Sequence, residues 1–263
     1  MSASLAASIR IQWRVIVALI IRAGQADYSR KTLGFFWVIA EPLILTCGVI
    51  ALWLLTGRGE GHGSINVVAL AITAYTHLQL WRRTVLPSLN TIHHSGWMFY
   101  HRNINVLDAI VAHCLKESIS IFTSFLIIYG ACLLLKVVDP VRDPGLILAA
   151  WCLDTLFCTS FSILMAGLAG LSEVVERLMH PLMYLTLPIT GAFVMTDWLP
   201  PRFKIFLEWV PLANCSEMFR AGVYPLSVKT YWSVPLIVFS SLFLLAVGLP
   251  VVEYARKKLD VAA

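Results

Sequence analysis

The residues best suited to chemistry crowd into one polar stretch, Trp81 to Glu117, which holds four of the chain's seven histidines. His93, His94, His101 and His113 are metal ligands by type, but their spacing matches no ligand set, and no C-x-x-C pair accompanies them. They read as solvated or docking histidines. There is also no P-loop, no H-E-x-x-H and no G-x-S-x-G, so neither a catalytic residue nor a bound metal is expected. The energy for any work must then come from another chain.

Two carboxylates, Glu41 and Asp154, lie deep in apolar runs. A charge inside a bilayer costs about 3 kcal/mol and faces a wet interior or a partner. Both a pore wall and a hydrogen bond to a neighbouring helix fit. A proton relay is a third reading, although no chain of ionisable residues connects the two. Around Glu41 the order Arg22, Tyr28, Arg30, Lys31, Trp37 puts cations and aromatic rings at one membrane surface. They can hold an anionic headgroup or phosphate, or act as plain positive anchors. Farther on, Trp198, Phe203, Phe206, Trp209, Phe219, Tyr224, Tyr231 and Trp232 fall within 35 positions. They form either an interfacial aromatic belt or a surface on which sugar rings stack. Glu217 and Arg220, three apart, can pair on one helix face.

The elements that must position these groups are helices in a membrane. Hydrophobic residues make up 59% of the 263, charged residues 13%, and mean hydropathy is +0.78. A soluble domain, typically ~45–50% apolar, has no use for that excess. The net charge of +5 is a topology signal rather than a nucleic-acid signature, since its main block, Arg10 to Lys31, is interleaved with aliphatics. The six cysteines, mostly in apolar runs, read as small core residues. No cleavable signal peptide is expected, because the first apolar run is studded with arginines.

The expected architecture is all-α and integral to the membrane, a single domain with six spans at 33–56, 65–81, 118–135, 146–171, 178–195 and 233–252. Residues 5–22 carry Arg10, Arg14 and Arg22 on an apolar-faced helix, which predicts an amphipathic element in the interface. Pro181, Pro188 and Gly191 make the fifth segment kinked or partly re-entrant. The aromatic region 196–231 predicts two short helices at the far interface. Thirteen Lys/Arg fall on the side of the termini and seven on the other, so both termini are expected in the cytoplasm. No internal repeat supports an inverted-repeat transporter.

The runs YSRKTLGFFWVIAEPLI, RRTVLPSLNTIHHSG and ERLMHPLMYLTLPITGAFV, with Pro211-Leu212 and Glu217-x-x-Arg220, resemble the type-2 ABC exporter permeases that move polysaccharides, in particular those of group 2 capsules. The resemblance runs from about Arg10 to Lys258; one departure is Val210, where the family carries Asn. It implies a homodimer bound to two ATPase subunits that carry the ATP and Mg, with no cofactor in this chain. It further implies a coupling helix around Ser88, Asn90, His93 and His94. Trp198, Trp209, Glu217, Arg220 and Tyr224 would form a periplasmic lid. The substrate would be a lipid-linked acidic polysaccharide passing a channel between protomers in the bacterial inner membrane. A periplasmic co-polymerase or adaptor and an outer-membrane channel are the implied downstream partners. A permease for O-antigen, teichoic acid or a small lipophilic compound is the related alternative. A proton-coupled transporter or a membrane lipid enzyme belongs to a different class.

Overall fold

The computed structural model describes residues 12–22, 65–94, 105–186, 189–191 and 194–262, with Ile44 and Gly48. The expected first span, 33–56, falls almost wholly outside them. Among the described residues the chain is helical, without strands. A helical segment at 12–22 is followed by α1 (Val67–Leu89), α2 (Thr91–His94), α3 (Val106–Leu134), α4 (Pro144–Leu171) and α5 (Glu173–Leu185). After a 3-10 turn at Thr196–Trp198 come α6 (Pro201–Glu208), α7 (Pro211–Val223) and α8 (Val234–Ala262).

Among the described residues three helices are long and apolar enough to cross a membrane: Val106–Leu134, Pro144–Leu171 and Val234–Lys258. Helix α1 falls short in composition because it carries His77, Gln79, Arg82 and Arg83, yet most of it is enclosed. Every residue from Ala69 to Trp81 is buried, among α3, α4, α5 and α7. A helix buried on all sides inside a membrane bundle can carry polar groups, because neighbouring helices satisfy them.

Several boundaries differ from expectation, for physical reasons. The second span was expected to end at about Trp81, but α1 continues to Leu89, with Arg82 over the Tyr184 ring and Arg83 3.7 Å from Glu117. The third span was expected at 118–135 with 107–116 as its cytoplasmic start, and α3 begins at Val106, where the Asp108 carboxylate accepts from the Asn105 backbone N–H at 3.2 Å and starts the helix. The fifth was expected over 178–195. Instead α5 starts at Glu173, with Glu173 and Glu176 in its positive first turn, and stops at Leu185. The chain then turns at Gly191, whose φ of 64° suits glycine. At the end, α8 runs past 252 through the basic tail, where Arg256 and Lys257 pair with Glu253 at 3.0 and 3.5 Å.

Helix α4 is the hub, packing against α8, α7, α1, α3, α5 and α2. Half of its apolar window is buried, against 17% for α8, so α8 lies at the periphery and leaves Phe239, Leu242 and Phe243 exposed. The α4–α8 crossing is close because it lacks side chains at Gly167 and Gly248. A Cβ on Gly167 would lie 2.9 Å from the Val252 nitrogen, and one on Gly248 would lie 3.0 Å from the Leu164 nitrogen. Gly167→Val is expected to cost about 2 kcal/mol through overpacking, read as a lower unfolding temperature of the detergent-solubilised protein. An unchanged midpoint would contradict this crossing.

The two ends of the bundle differ. At one end Asn66 caps α1 and donates to Val137 O at 2.6 Å, while Asp143 N donates to Gly222 O. At the other, Gln12 donates to Asp108 at 2.7 Å and Ile92 of α2 packs with Val252 and Ala255 of α8. Three of the cysteines, Cys114, Cys158 and Cys215, are buried as expected of small core residues, but Cys152 is exposed.

Candidate functional site

The region expected to rest at the far interface divides in two. Helix α6 is superficial, with Phe203, Ile205 and Phe206 exposed and only Leu207 buried. Helix α7 is not an interface helix: every residue from Leu212 to Val223 is buried against α4 and α1. Its two charges explain the difference. Glu217 and Arg220, 1% and 0% exposed, lie 3.5 Å apart one turn from each other, so the pair enters the core with little net charge.

That pair also ties down both flanking loops. Arg220 Nη1 donates to Gly191 O at 2.8 Å and Val194 O at 3.3 Å. Glu217 Oε1 accepts from Thr196 N at 3.2 Å, and its Oε2 accepts from Tyr231 N at 3.2 Å. Ser216 donates to Thr190 O, and Asn214 Oδ1 accepts from Ser233 N at 2.8 Å. The segment after α5 and the segment before α8 are therefore both fastened to one buried helix. Pro211 at its first turn costs no hydrogen bond there.

A second polar node lies deeper. His77 Nδ1 of α1 and Asp154 Oδ2 of α4 are 2.6 Å apart, 1% and 0% exposed. The Cys158 thiol donates to Asp154 Oδ1 at 3.6 Å. The His77 ring meets Phe219 edge-on at 4.8 Å, so α1, α4 and α7 converge here. Of the three sequence readings of Asp154, pore wall, proton relay and hydrogen bond to a neighbouring helix, the contact with His77 has the geometry of the last; the side chain is 0% exposed. His77 was not singled out in the sequence. The available signal was that it is a polar residue in the middle of an apolar run, as Asp154 is.

The remaining site residues separate clearly. Arg22 is exposed on the 12–22 segment, as are Trp13 and Ile21. Tyr28, Arg30, Lys31, Trp37 and Glu41 lie outside the described residues. Asn90 ends α1, and α2 forms a single short helix where a coupling element was expected; the side chains of His93 and His94 lie outside the described residues. Ser88 is fully buried, its hydroxyl donating to Thr84 O at 2.6 Å, so it presents no contact surface. Tyr224 is 5% exposed, which removes it from the expected aromatic surface. Trp209 is 73% exposed, and Trp198 is half-buried. Near them Lys204 sits 3.4 Å over the Tyr231 ring, and hydrogen bonding with Tyr231 raises its pKa. Among the described residues no group of His, Cys, Asp or Glu is arranged to hold a metal.

No protein-family model matches the chain. Curated proteins do. The chain is 31% identical over 253 residues to the capsule polysaccharide export inner-membrane protein BexB of Haemophilus influenzae, covering 96% of this chain and 95% of that one. It is 30% identical, over the same shares, to the capsule polysaccharide export inner-membrane protein CtrC of Neisseria meningitidis serogroup B. At that identity over nearly the full length of both partners, the chain belongs to the family of capsule polysaccharide export inner-membrane proteins.

Proposed function

We propose that this protein is the permease subunit of an ATP-driven exporter, carrying lipid-linked acidic capsular polysaccharide from cytoplasm to periplasm. The observation that carries the reading is the full-length similarity to relatives named for capsule polysaccharide export in the inner membrane. The chain's sequence has no nucleotide-binding motif, so ATP and Mg belong to two partner ATPase subunits. Two copies of this chain, each with six spans and cytoplasmic termini, form the channel at their interface. A polymer channel needs many weak contacts rather than one deep well, which would stall the sugar.

In this reading the α1–α2 corner at Asn90, His93 and His94 receives the motion of the ATPase. Arg22, Tyr28, Arg30, Lys31, Trp37 and Glu41 take the anionic headgroup at the cytoplasmic mouth. The loops fastened to α7 form the periplasmic lid, beneath which an adaptor and an outer-membrane channel continue the path. The His77–Asp154 node sets how α1 sits on α4. Arg22→Ala, Arg30→Ala and Lys31→Ala are each expected to lower export about ten-fold, with ATPase binding retained. Full export in all three variants removes the headgroup role.

The test of the whole reading is export with the partner ATPase inactivated at its nucleotide site. Surface polysaccharide is expected to vanish, and dissipating the proton gradient for a short interval with ATP maintained is expected to leave export running. The reverse pattern would assign the chain to a proton-coupled class.

A further inference from the structure

An open cleft of about 490 Å³ lies where the C-terminal end of α6 meets the start of α8. Glu208, Trp209, Thr230, Tyr231, Trp232 and Ser233 form its walls. It occupies the same end of the bundle as the loops fastened to α7, and its volume falls in the ~300–1,000 Å³ range of small-molecule sites. In the sequence Trp209, Tyr231 and Trp232 belong to a broad aromatic belt or sugar-stacking surface; the cleft gathers these three with Glu208.

Its walls are held before any ligand arrives. Asn214, 2% exposed, forms the floor: its Nδ2 donates to Glu208 O at 2.9 Å and Val210 O at 2.8 Å, and its Oδ1 accepts from Ser233 N. One side chain thus joins the α6 wall to the α8 wall. Tyr231 is fixed three ways, by its backbone N–H on Glu217, its hydroxyl donating to Asp197 at 3.1 Å, and Lys204 over its ring. Against this frame Trp209 and Trp232 are 73% and 40% exposed. Neither makes an aromatic contact among the described residues, and the half-buried Glu208 carboxylate has no hydrogen bond or ion pair there.

Two exposed indoles, the Glu208 carboxylate, whose charge also acts on Lys204 one turn away, and the hydroxyls of Thr230 and Ser233 are a donor–acceptor set suited to a pyranose ring. The indole faces pack on its C–H faces, and the carboxylate accepts from neighbouring hydroxyls. Interfacial tryptophans serving only as anchors need neither a fixed polar floor nor a carboxylate. The carboxylate also sets the charge, because a sugar acid or phosphate would meet Glu208 with like charge. We propose that this cleft is a saccharide subsite that takes an uncharged sugar segment of the exported polymer as it leaves the bundle. The proposal rests on the export reading for the identity of the polymer, but its binding chemistry stands on the cleft alone.

The test uses the full-length protein in phosphatidylglycerol nanodiscs, with saturation-transfer NMR on maltotriose as the neutral probe and trigalacturonate as the acidic one. Maltotriose is expected to bind. Trp209→Ala with Trp232→Ala should weaken it about ten-fold, and the matching Trp→Phe pair should retain most of it. Trigalacturonate should bind about ten-fold more weakly than maltotriose, a gap that Glu208→Gln closes. The subsite is overturned if maltotriose does not bind, if the alanine pair leaves its binding unchanged, if trigalacturonate is preferred, or if phosphoethanolamine displaces it, which would make the cleft a lipid-headgroup site. If deleting the chain abolishes surface polysaccharide but the indoles have no effect on sugar binding, the subsite fails and export stands. If binding depends on the indoles but deletion leaves surface polysaccharide intact, the export reading fails and the subsite stands.

Discussion

Glu217→Ala should lower the unfolding temperature of the detergent-solubilised protein by on the order of 10 °C. The substitution removes the acceptor for the backbone N–H groups of Thr196 and Tyr231, and takes the counter-charge from an Arg220 that is 0% exposed. Removing one partner of a buried ion pair costs about 3–5 kcal/mol, because the remaining charge cannot return to water. For a domain of this size each kcal/mol moves the midpoint by about 2–4 °C. Glu217→Gln keeps a carbonyl acceptor but not the charge, and should fall between alanine and wild type. Glu173→Ala is the control. Its ion pair with Arg177 is shorter, 3.0 Å against 3.5 Å, but both side chains are more than 70% exposed, so its loss is worth ~0–1 kcal/mol. Equal effects at Glu217 and Glu173 would mean that burial does not set the value of these pairs.

Asp154→Ala should destabilise by about 3 kcal/mol, and His77→Phe combined with Asp154→Leu should recover most of that loss. The single change leaves a buried imidazole nitrogen and the Cys158 thiol without their acceptor. The double change replaces imidazole and carboxylate with apolar groups among Trp151 and Phe219, and leaves only the weakly polar Cys158 thiol without its acceptor. Thermal unfolding of His77→Phe, Asp154→Leu and their double forms a cycle whose coupling term measures the node directly. If the double variant recovers stability but loses export, the node is retained for how α1 moves or sits. If the losses simply add, His77 and Asp154 do not act together.

Much of this was visible in the sequence, in particular places. The apolar runs marked α3, α4 and α8, because the bilayer selects long uncharged segments and composition reports that directly. The pairing of Glu217 with Arg220 was legible from a spacing of three. What hydropathy could not place was where a helix goes once it leaves the apolar run. Residues 106–117 and 82–89 are polar yet helical, started by Asp108 and sealed by contacts such as His113 to Arg83 O at 2.9 Å. Counting charges also put α7 at a surface, although a neutralised pair lets a charged helix be buried. The signal for α5 was present, since Ser172 followed by Glu173 and Glu176 is a helix start, and the same residues read equally well as a polar turn. His77 was hidden for a different reason: its partner is 77 positions away, and no local period joins them.

The central claim is that this chain moves capsular polysaccharide out of the cytoplasm, and its most direct measurement is where the polymer lies. Cells lacking the chain, with their polymer-synthesising enzymes intact, are fractionated and stained for capsule inside and out. The account predicts full-length polymer retained within the cytoplasm, a bare surface, and a return of surface capsule when the chain is restored. Surface polysaccharide at the wild-type level in cells without the chain would contradict it.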